Sequence, residues 1–238
     1  MKWGQITECG PVRQRNEDWL CVCPDLGLFA VADGMGGHQA GDVASHMALS
    51  VLEEYLRKNS LDQDSYSNKL QRGIQLANQA VYQTACDNYE QRGMGATITA
   101  CLIDGFKATI ANAGDSRALL WREGKLSRLT IDHSLVQELI NGGGITEKEA
   151  MLHPKRNVIT RALGVDSWLD IDISEHILIK EDRLLLCTDG LTGFIPDEGI
   201  SALLTREADP NQEARLLVNE AIKAGSNDNI TIIIMAVD

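Results

Sequence analysis

The hydrophobic pattern of this chain changes period several times. The run Leu28-Phe29-Ala30-Val31-Ala32 reads as a strand buried on both faces, and it ends in Asp33-Gly34-Met35-Gly36-Gly37-His38. Before it, residues 2–9 and 19–23 carry strand-like patterns, separated by a Gly10-Pro11 turn and a dense polar stretch at 13–18. From Ala40 the period becomes helical. Val43, Ala44, Met47, Val51, Leu52 and Leu56 predict an amphipathic helix over 40–58, and Leu70, Ile74, Ala77, Val81 and Ala85 a second over 68–90. Strands return at 95–103, 106–112, 117–121 and 125–129, with Asp104-Gly105, Gly114-Asp115 and Glu123-Gly124 as turns. Residues 132–163 are irregular, with Gly142 to Gly144 and two short helices, which is the composition of a functional loop or lid. Strands at 169–177 and 183–187, helices at 197–205 and 211–223, and a strand at 230–237 complete the chain.

Runs of strands and runs of helices, rather than strict alternation, imply an α+β fold: two antiparallel sheets packed together and covered outside by helices. No linker, repeat or shift in composition divides the 238 residues, so one domain over 1–238 is expected. Nothing resembles a transmembrane span or a basic-then-apolar leader, so the expected location is cytoplasmic, without membrane attachment. No coiled coil or long exposed apolar strand demands a partner, and a monomer is expected.

Charge narrows the options. The net charge is −12 with no stripe of Lys and Arg, which argues against a nucleic-acid partner. The same field would repel a phosphorylated substrate, so a bound cation or a local arginine would have to reverse the sign at the site itself. The cysteines Cys9, Cys21, Cys23, Cys86, Cys101 and Cys187 form no C-x-x-C pair and read as small buried hydrophobes in a reducing compartment. Cys21 and Cys23 share a strand face, which makes zinc or redox chemistry conceivable without supporting it.

Two apolar strands each deliver an aspartate to a glycine: Asp33-Gly34, and Asp189-Gly190 after Leu184-Leu185-Leu186-Cys187-Thr188. Asp115 and Asp228 also sit at strand ends beside Gly or Asn, and Glu17 and Asp18 immediately precede a strand. Taken singly, each Asp-Gly is a turn signal, and Asp115 equally suits a hairpin. If several converge, they cannot all stay ionised without a counter-cation. An all-oxygen donor set selects hard ions, Mg²⁺ or Mn²⁺, and one carboxylate bridging two ions about 3.5–4 Å apart would make a two-metal hydrolytic site.

Five motifs in order, Arg13-x-x-Asn16-Glu17-Asp18, Ala32-Asp33-Gly34-Met35-Gly36-Gly37-His38, Gly114-Asp115-Ser116-Arg117, Cys187-Thr188-Asp189-Gly190 and Asn227-Asp228-Asn229-Ile230-Thr231, resemble the metal-dependent (PPM, or type 2C) protein serine/threonine phosphatases, in their short bacterial branch. The resemblance runs from the first strand to the last. It implies a four-layer α-β-β-α sandwich with metals at one end of the paired sheets. Asp33 would bridge two ions, the Gly34 carbonyl would bind one of them, and Asp189 and Asp228 would hold the other. Glu17 and Asp18 would act through metal-bound water, and Asp115 matches the ligand of a third, weaker ion near the flap at 132–163.

A water shared by the two ions would then attack phosphorus in line, with Arg13 gripping phosphoryl oxygens through its planar fork. The general acid would be His38 or a water on the third ion. The eukaryotic members place a histidine directly after Asp-Gly, where this chain has Met35, so His38 lining the cleft or capping the next helix stays open. His46, His133, His153 and His176 take structural roles by default. Lys155, Arg156 and Arg161 of the flap are candidates to touch a phosphopeptide. Where the family usually has two threonines after Gly93-Met94-Gly95, this chain has Ala96-Thr97, which reads as a packing change remote from any ligand. The expected activity is hydrolysis of phosphoserine and phosphothreonine proteins in bacterial signalling, opposite a cognate serine/threonine kinase. The alternative is a catalytically inactive pseudophosphatase that senses metal or a phosphoprotein.

Overall fold

The computed structural model describes residues 1–36, 40–205 and 208–238. One antiparallel sheet is built, in spatial order, from β1 (Lys2–Glu8), β11 (Ile230–Ala236), β10 (Arg183–Cys187), β7 (Arg117–Arg122) and β8 (Lys125–Arg128). The other is built from β2 (Asp18–Cys23), β3 (Leu28–Met35), β5 (Ile98–Asp104), β6 (Lys107–Ala113) and β9 (Asp172–Ile177), with the short β4 (Gly95–Ala96) paired to the end of β3. Helices α1 (Ala40–Lys58) and α2 (Tyr66–Asp87) cover the second sheet; α6 (Asp197–Leu203) and α7 (Pro210–Lys223) cover the first.

The period-two alternation of each strand sorts its residues between layers. In β3, Leu28, Ala30 and Ala32 join the apolar layer under α1 and α2, while Phe29 and Val31 join the layer between the sheets. Leu184 and Leu186 of β10 and Ile233 and Met235 of β11 meet them there; Leu185, Cys187, Ile232 and Ile234 face the other way, onto α7 and its neighbours. Burying a side chain such as Phe29 or Val31 stabilises by roughly 1.5–3 kcal/mol, so the intersheet layer fixes register firmly. Continue the same parity by one step and the intersheet positions become Asp33 on β3, Asp18 on β2, Thr188 after β10 and Thr231 on β11. The apolar layer ends in a polar cap, and that cap is the site.

Several boundaries differ from the pattern-based expectation for local reasons. Helix α2 starts earlier, at Tyr66, because Ser65 caps it by accepting from the Asn68 amide (3.2 Å), and it stops at Asp87, where Asn88 opens a 3-10 turn at Tyr89–Gln91. The expected strand at 95–103 breaks at Thr97. The strand expected from 169 begins only at Asp172.

Candidate metal centre at the end of the intersheet layer

Asp18 and Asp33 lie directly opposite each other in the β2–β3 ladder, so their side chains share one face. Asp189 opens α5 (Asp189–Thr192), a single turn that follows β10, and Asp228 lies two residues before β11. Asp115 sits in the turn between β6 and β7 and is 8% exposed; Asp18 is 2% exposed. Sequence-distant carboxylates thus meet at one end of the paired sheets. Their mutual influence is visible in their protonation. Burial, reinforced by Asp18, Asp189, Asp115 and Asp228, holds the Asp33 carboxyl well above the usual carboxylate range. Burial likewise pushes Asp18 up to about 7, against hydrogen bonds from Thr231 and Thr188, and Asp115 up to about 8, with Asp189 and Asp132 adding to the effect. Asp189 rises to about 6 through burial and Asp228, while Arg117 opposes. For the half-buried Glu17, burial raises the pKa and Arg13 works against it.

The glycine after each delivered aspartate serves close approach. A Cβ on Gly34 would strike the backbone of Gly41 and the Glu17 carbonyl, and one on Gly190 would strike the Asn229 carbonyl. Gly34 donates its amide to the Glu17 carbonyl (3.0 Å), which also accepts from Ser45 Oγ (2.6 Å), so the start of α1 is fastened to the loop that carries Glu17.

Arg13 reaches the cluster, half-exposed, and donates to Asp228 Oδ2 at 2.8 Å. Burial disfavours its charge, but Asp228, Glu17 and Asp33 outweigh that and raise its pKa. Asn229 ties the segment between β1 and β2 into place: its Nδ2 donates to the Cys9 and Arg15 carbonyls (2.9 Å each), and its Oδ1 accepts from the Glu17 amide (2.9 Å). Asn16 donates to Thr7 Oγ1 (2.7 Å), which bonds Thr231 Oγ1 (2.7 Å). Thr188 Oγ1 donates to Asp18 Oδ2 (2.8 Å) and accepts from the Thr231 amide (3.0 Å).

The Ala96-Thr97 pair reverses one expectation. Rather than being remote from the ligands, Ala96, the departure itself, pairs with Gly34, and Thr97 holds the backbone of Asp33: its Oγ1 accepts from the Asp33 amide (3.0 Å) and its amide donates to the Asp33 carbonyl (2.8 Å). The same hydroxyl bonds Ser116 Oγ at 2.7 Å, next to Asp115. Residues 64 and 19 positions away are joined through one threonine, a contact no local pattern reveals. His133 is buried beneath the Asp115 turn; its Nδ1 accepts from the Gly114 amide (3.2 Å) and its amide donates to the Gly114 carbonyl (2.9 Å). Arg117 and Asp132 form a two-pronged buried ion pair (2.8 and 2.6 Å) beside Asp115. His46 stacks edge-on against Trp19, and His176 bonds Ser174. His38 lies outside the described residues.

The flap carries α3 (Leu135–Asn141) and α4 (Glu147–Met151), and it is pinned at its ends by the bridges Ser134–Ile159 and Ala96–Leu163. Beneath it a cleft of about 170 Å³ is lined by Asp115, Asp132, Asp189, Arg128, Arg156 and Asn157, among others. Of the flap's basic candidates, Arg156 faces this cleft, Arg161 is engaged by Asp170 and Asp172 (3.2 Å each), and Lys155 is exposed.

The donor set fits hard cations. Asp18 Oδ1, Asp115 Oδ1 and Asp189 Oδ1 are buried and have no hydrogen-bond partner. A buried carboxylate oxygen without a donor is costly, and three of them in an all-oxygen cluster match divalent ions of the Mg²⁺ and Mn²⁺ kind.

Fold and site define a four-layer α+β domain with a carboxylate centre at one end of its paired sheets. The chain belongs to the protein phosphatase 2C family, whose model matches residues 11–139. It is 36% identical to the serine/threonine phosphatase stp of Listeria monocytogenes, over 98% of this chain and 94% of that one. It superposes on the serine/threonine phosphatase PstP/Ppp of Mycobacterium tuberculosis with a TM-score of 0.91 and 33% identity, covering 100% and 98% of the two chains. A structure of the PstP catalytic domain in complex with two manganese ions is similar too, with a TM-score of 0.88, 32% identity and coverage of 100% and 98%.

Proposed function

We propose that this chain is a metal-dependent protein serine/threonine phosphatase that hydrolyses phosphoserine and phosphothreonine esters. The observation that carries the reading is the set of buried carboxylate oxygens left without donors at one end of the sheets, in a chain of this family. Asp33, the Gly34 carbonyl, Asp189 and Asp228 are assigned to hold two divalent ions, Glu17 and Asp18 to support them through water, and Asp115 to hold a weaker third. When bound, such ions supply Lewis acidity and a water acidic enough to serve as nucleophile near neutral pH.

The chain's own residues do the rest. Thr97 and Thr188 hold Asp33 and Asp18 in place. Arg13 neutralises Asp228 and, once that carboxylate is engaged elsewhere, its fork is free to turn to phosphoryl oxygens. Arg156 stands over the cleft, where it can meet a phosphopeptide. His38 remains the side-chain candidate for protonating the leaving alkoxide. We place the enzyme in the cytoplasm, in bacterial signalling opposite a serine/threonine kinase; no described helix is long and apolar enough to cross a membrane. The inactive alternative gains nothing, since Asp33, Asp189 and Asp228 are all present.

The test is hydrolysis of an aryl phosphate and of phosphoserine, phosphothreonine and phosphotyrosine peptides with Mn²⁺, with Mg²⁺ and with chelator. Activity on the first two peptides should require metal, collapse in Asp189→Ala, and show a raised KM in Arg13→Ala. Turnover that survives chelation would overturn the assignment.

A further inference from the structure

A second cluster of ligating side chains lies on the opposite face of β2 from Asp18. The parity that sends Asp18, Leu20 and Val22 between the sheets turns Cys21 and Cys23 toward α1. There Cys21 Sγ and Cys23 Sγ are 3.7 Å apart, and Cys21 Sγ is 3.7 Å from Glu53 Oε2 of α1. One ligand atom from each of the three residues lies within 4.8 Å of the other two. Tetrahedral zinc, with bonds of about 2.3 Å to sulfur and 2.0–2.2 Å to oxygen, would set its ligands about 3.8 Å apart for S···S and about 3.6 Å for S···O. The Cys21–Cys23 and Cys21–Glu53 separations meet these values to within about 0.1 Å by that arithmetic, and the Cys23–Glu53 separation lies within 4.8 Å.

The surroundings are built for the same purpose. Arg57, one helical turn beyond Glu53, donates to Glu53 Oε1 (2.9 Å) and to Asp25 Oδ2 (2.8 Å). That contact orients the carboxylate from behind and leaves Oε2 directed at the thiols, as an outer partner does at metal sites. Two thiolates and one carboxylate on a divalent ion carry one net negative charge, and Arg57, shared with Asp25, lies close enough to relieve part of it. Cys21 is buried, and Glu53 at the rim of the cluster is partly exposed.

We propose that Cys21, Cys23 and Glu53 form a site for a thiophilic divalent ion of the zinc type, separate from the carboxylate centre. Soft sulfur ligands select such an ion over Mg²⁺. Binding breaks two S–H bonds, forms two metal–sulfur bonds and releases two protons, with no change of oxidation state. The ion clamps the edge strand β2, whose first residue is Asp18, to helix α1.

The test uses Cd²⁺ as the probe on the reduced full-length chain, with excess Mg²⁺ present to occupy the carboxylate centre. About one equivalent of Cd²⁺ should produce thiolate-to-metal charge-transfer absorbance, release about two protons and raise the Tm. Cys23→Ser should abolish the band while retaining Mg²⁺-dependent phosphatase activity, and Cys9→Ser should leave the band intact. Glu53→Gln should keep the band, which comes from the thiolates, and weaken binding tenfold or more, because it takes a charged ligand off the ion. Absence of the band in the wild-type chain, or its persistence in Cys23→Ser, would overturn the site and leave only thiol hydrogen bonds there.

Discussion

Removing metal from this protein should make its stability fall as pH rises, and the size of the fall can be worked from the site. Asp18 is almost wholly buried and its pKa is raised to about 7; Asp115, also buried, reaches about 8. In the unfolded chain both titrate near the ordinary aspartate value of about 3.9. Where a folded-state pKa is raised, the folded protein keeps a proton that the unfolded chain has already lost, so stability is fully present below about pH 4 and drains away up to the folded pKa. The window therefore runs from about pH 4 to 8. A carboxyl that titrates near 7 in the fold and near 3.9 in the unfolded chain, as Asp18 does, loses on the order of 4 kcal/mol of stability across it. The opposing field of the neighbouring carboxylates extends the fall. About 3 kcal/mol of the Asp18 loss falls above pH 5, and Asp115 adds to it; for a chain of this length 1 kcal/mol moves Tm by about 2–4 °C, so a drop of at least about 6–12 °C between pH 5 and 8.5 is expected.

The assay is thermal or urea unfolding in chelator at steps from pH 5 to 8.5, repeated with Mg²⁺ or Mn²⁺. With metal present the stabilisation should grow with pH, because the ions bind the deprotonated carboxylates. Asp33, Asp189 and Glu17 in the site, and Glu213 of α7, are also raised by burial and act with the same sign, so a variant rather than the slope alone must assign the fall. Exposed carboxylates such as Asp25 and Glu175 are held below their usual range by Arg57 and Lys107, and they act below the window with the opposite sign. His176, lowered by burial, also acts with the opposite sign. The decisive comparison is Asp18→Asn, which should make the metal-free slope shallower without abolishing it, because Asp115 still titrates in the window. A chelated wild-type protein whose stability is level or rises from pH 5 to 8, with Asp18→Asn parallel to it, would refute the reasoning.

Three further expectations concern the braces around the site. Thr97→Val removes the acceptor for the Asp33 amide and the bond to Ser116, and should cost about 1–3 kcal/mol in urea unfolding and weaken Mn²⁺ binding measured by calorimetry. Unaltered Mn²⁺ affinity would show that Asp33 is held without it. Asn229→Ala frees the loop between β1 and β2 at three hydrogen bonds and should raise KM for aryl phosphate more than it lowers kcat, since Arg13 rides on that loop; the reverse split would mean the loop serves metal retention instead. Asp132→Ala leaves the Arg117 guanidinium buried and unpaired beside Asp115 and should destabilise by about 3–5 kcal/mol, read from denaturant midpoints.

What the sequence made legible was whatever a strand or helix writes in its own periodicity. Continuous apolar runs in β3 and β10 marked strands buried on both faces, and the Asp-Gly pairs that end those runs marked where polar groups would gather. The α1 pattern gave its bounds at Ala40–Lys58 because an uninterrupted 3.6-residue stripe had one face to bury. The one-turn helix α5 left no periodic trace, since four residues cannot display a stripe. The braces were invisible for another reason: Thr97, Thr188, His133 and Asn229 act on residues between 19 and 220 positions away. Their types are ordinary for turns and strands, and only the register of the two sheets brings them to their partners. Thr97 shows the point most sharply, because its position in the chain suggested packing while its hydroxyl fastens the central aspartate.

The placement of the centre also explains how so acidic a chain can tolerate it. Buried carboxyls without donors destabilise, and Asp18, Asp115 and Asp189 each leave one oxygen in that condition. That cost is concentrated at the end of the apolar layer between the sheets, where the strands are already held in register by Phe29, Val31, Leu184, Leu186, Ile233 and Met235. The packed layers keep the carboxylates together against their repulsion, so the site is organised before any cation arrives. Among the described residues, Arg13 and Arg117 bring positive charge close, and each is already taken up by an aspartate, Asp228 and Asp132. Neither can offer a phosphate ester a net positive surface until added cations take over the carboxylates. If the assigned residues hold cations as proposed, the −12 charge and phosphoester chemistry would be compatible, because Asp228 would then no longer need Arg13, whose fork could meet a phosphoryl group.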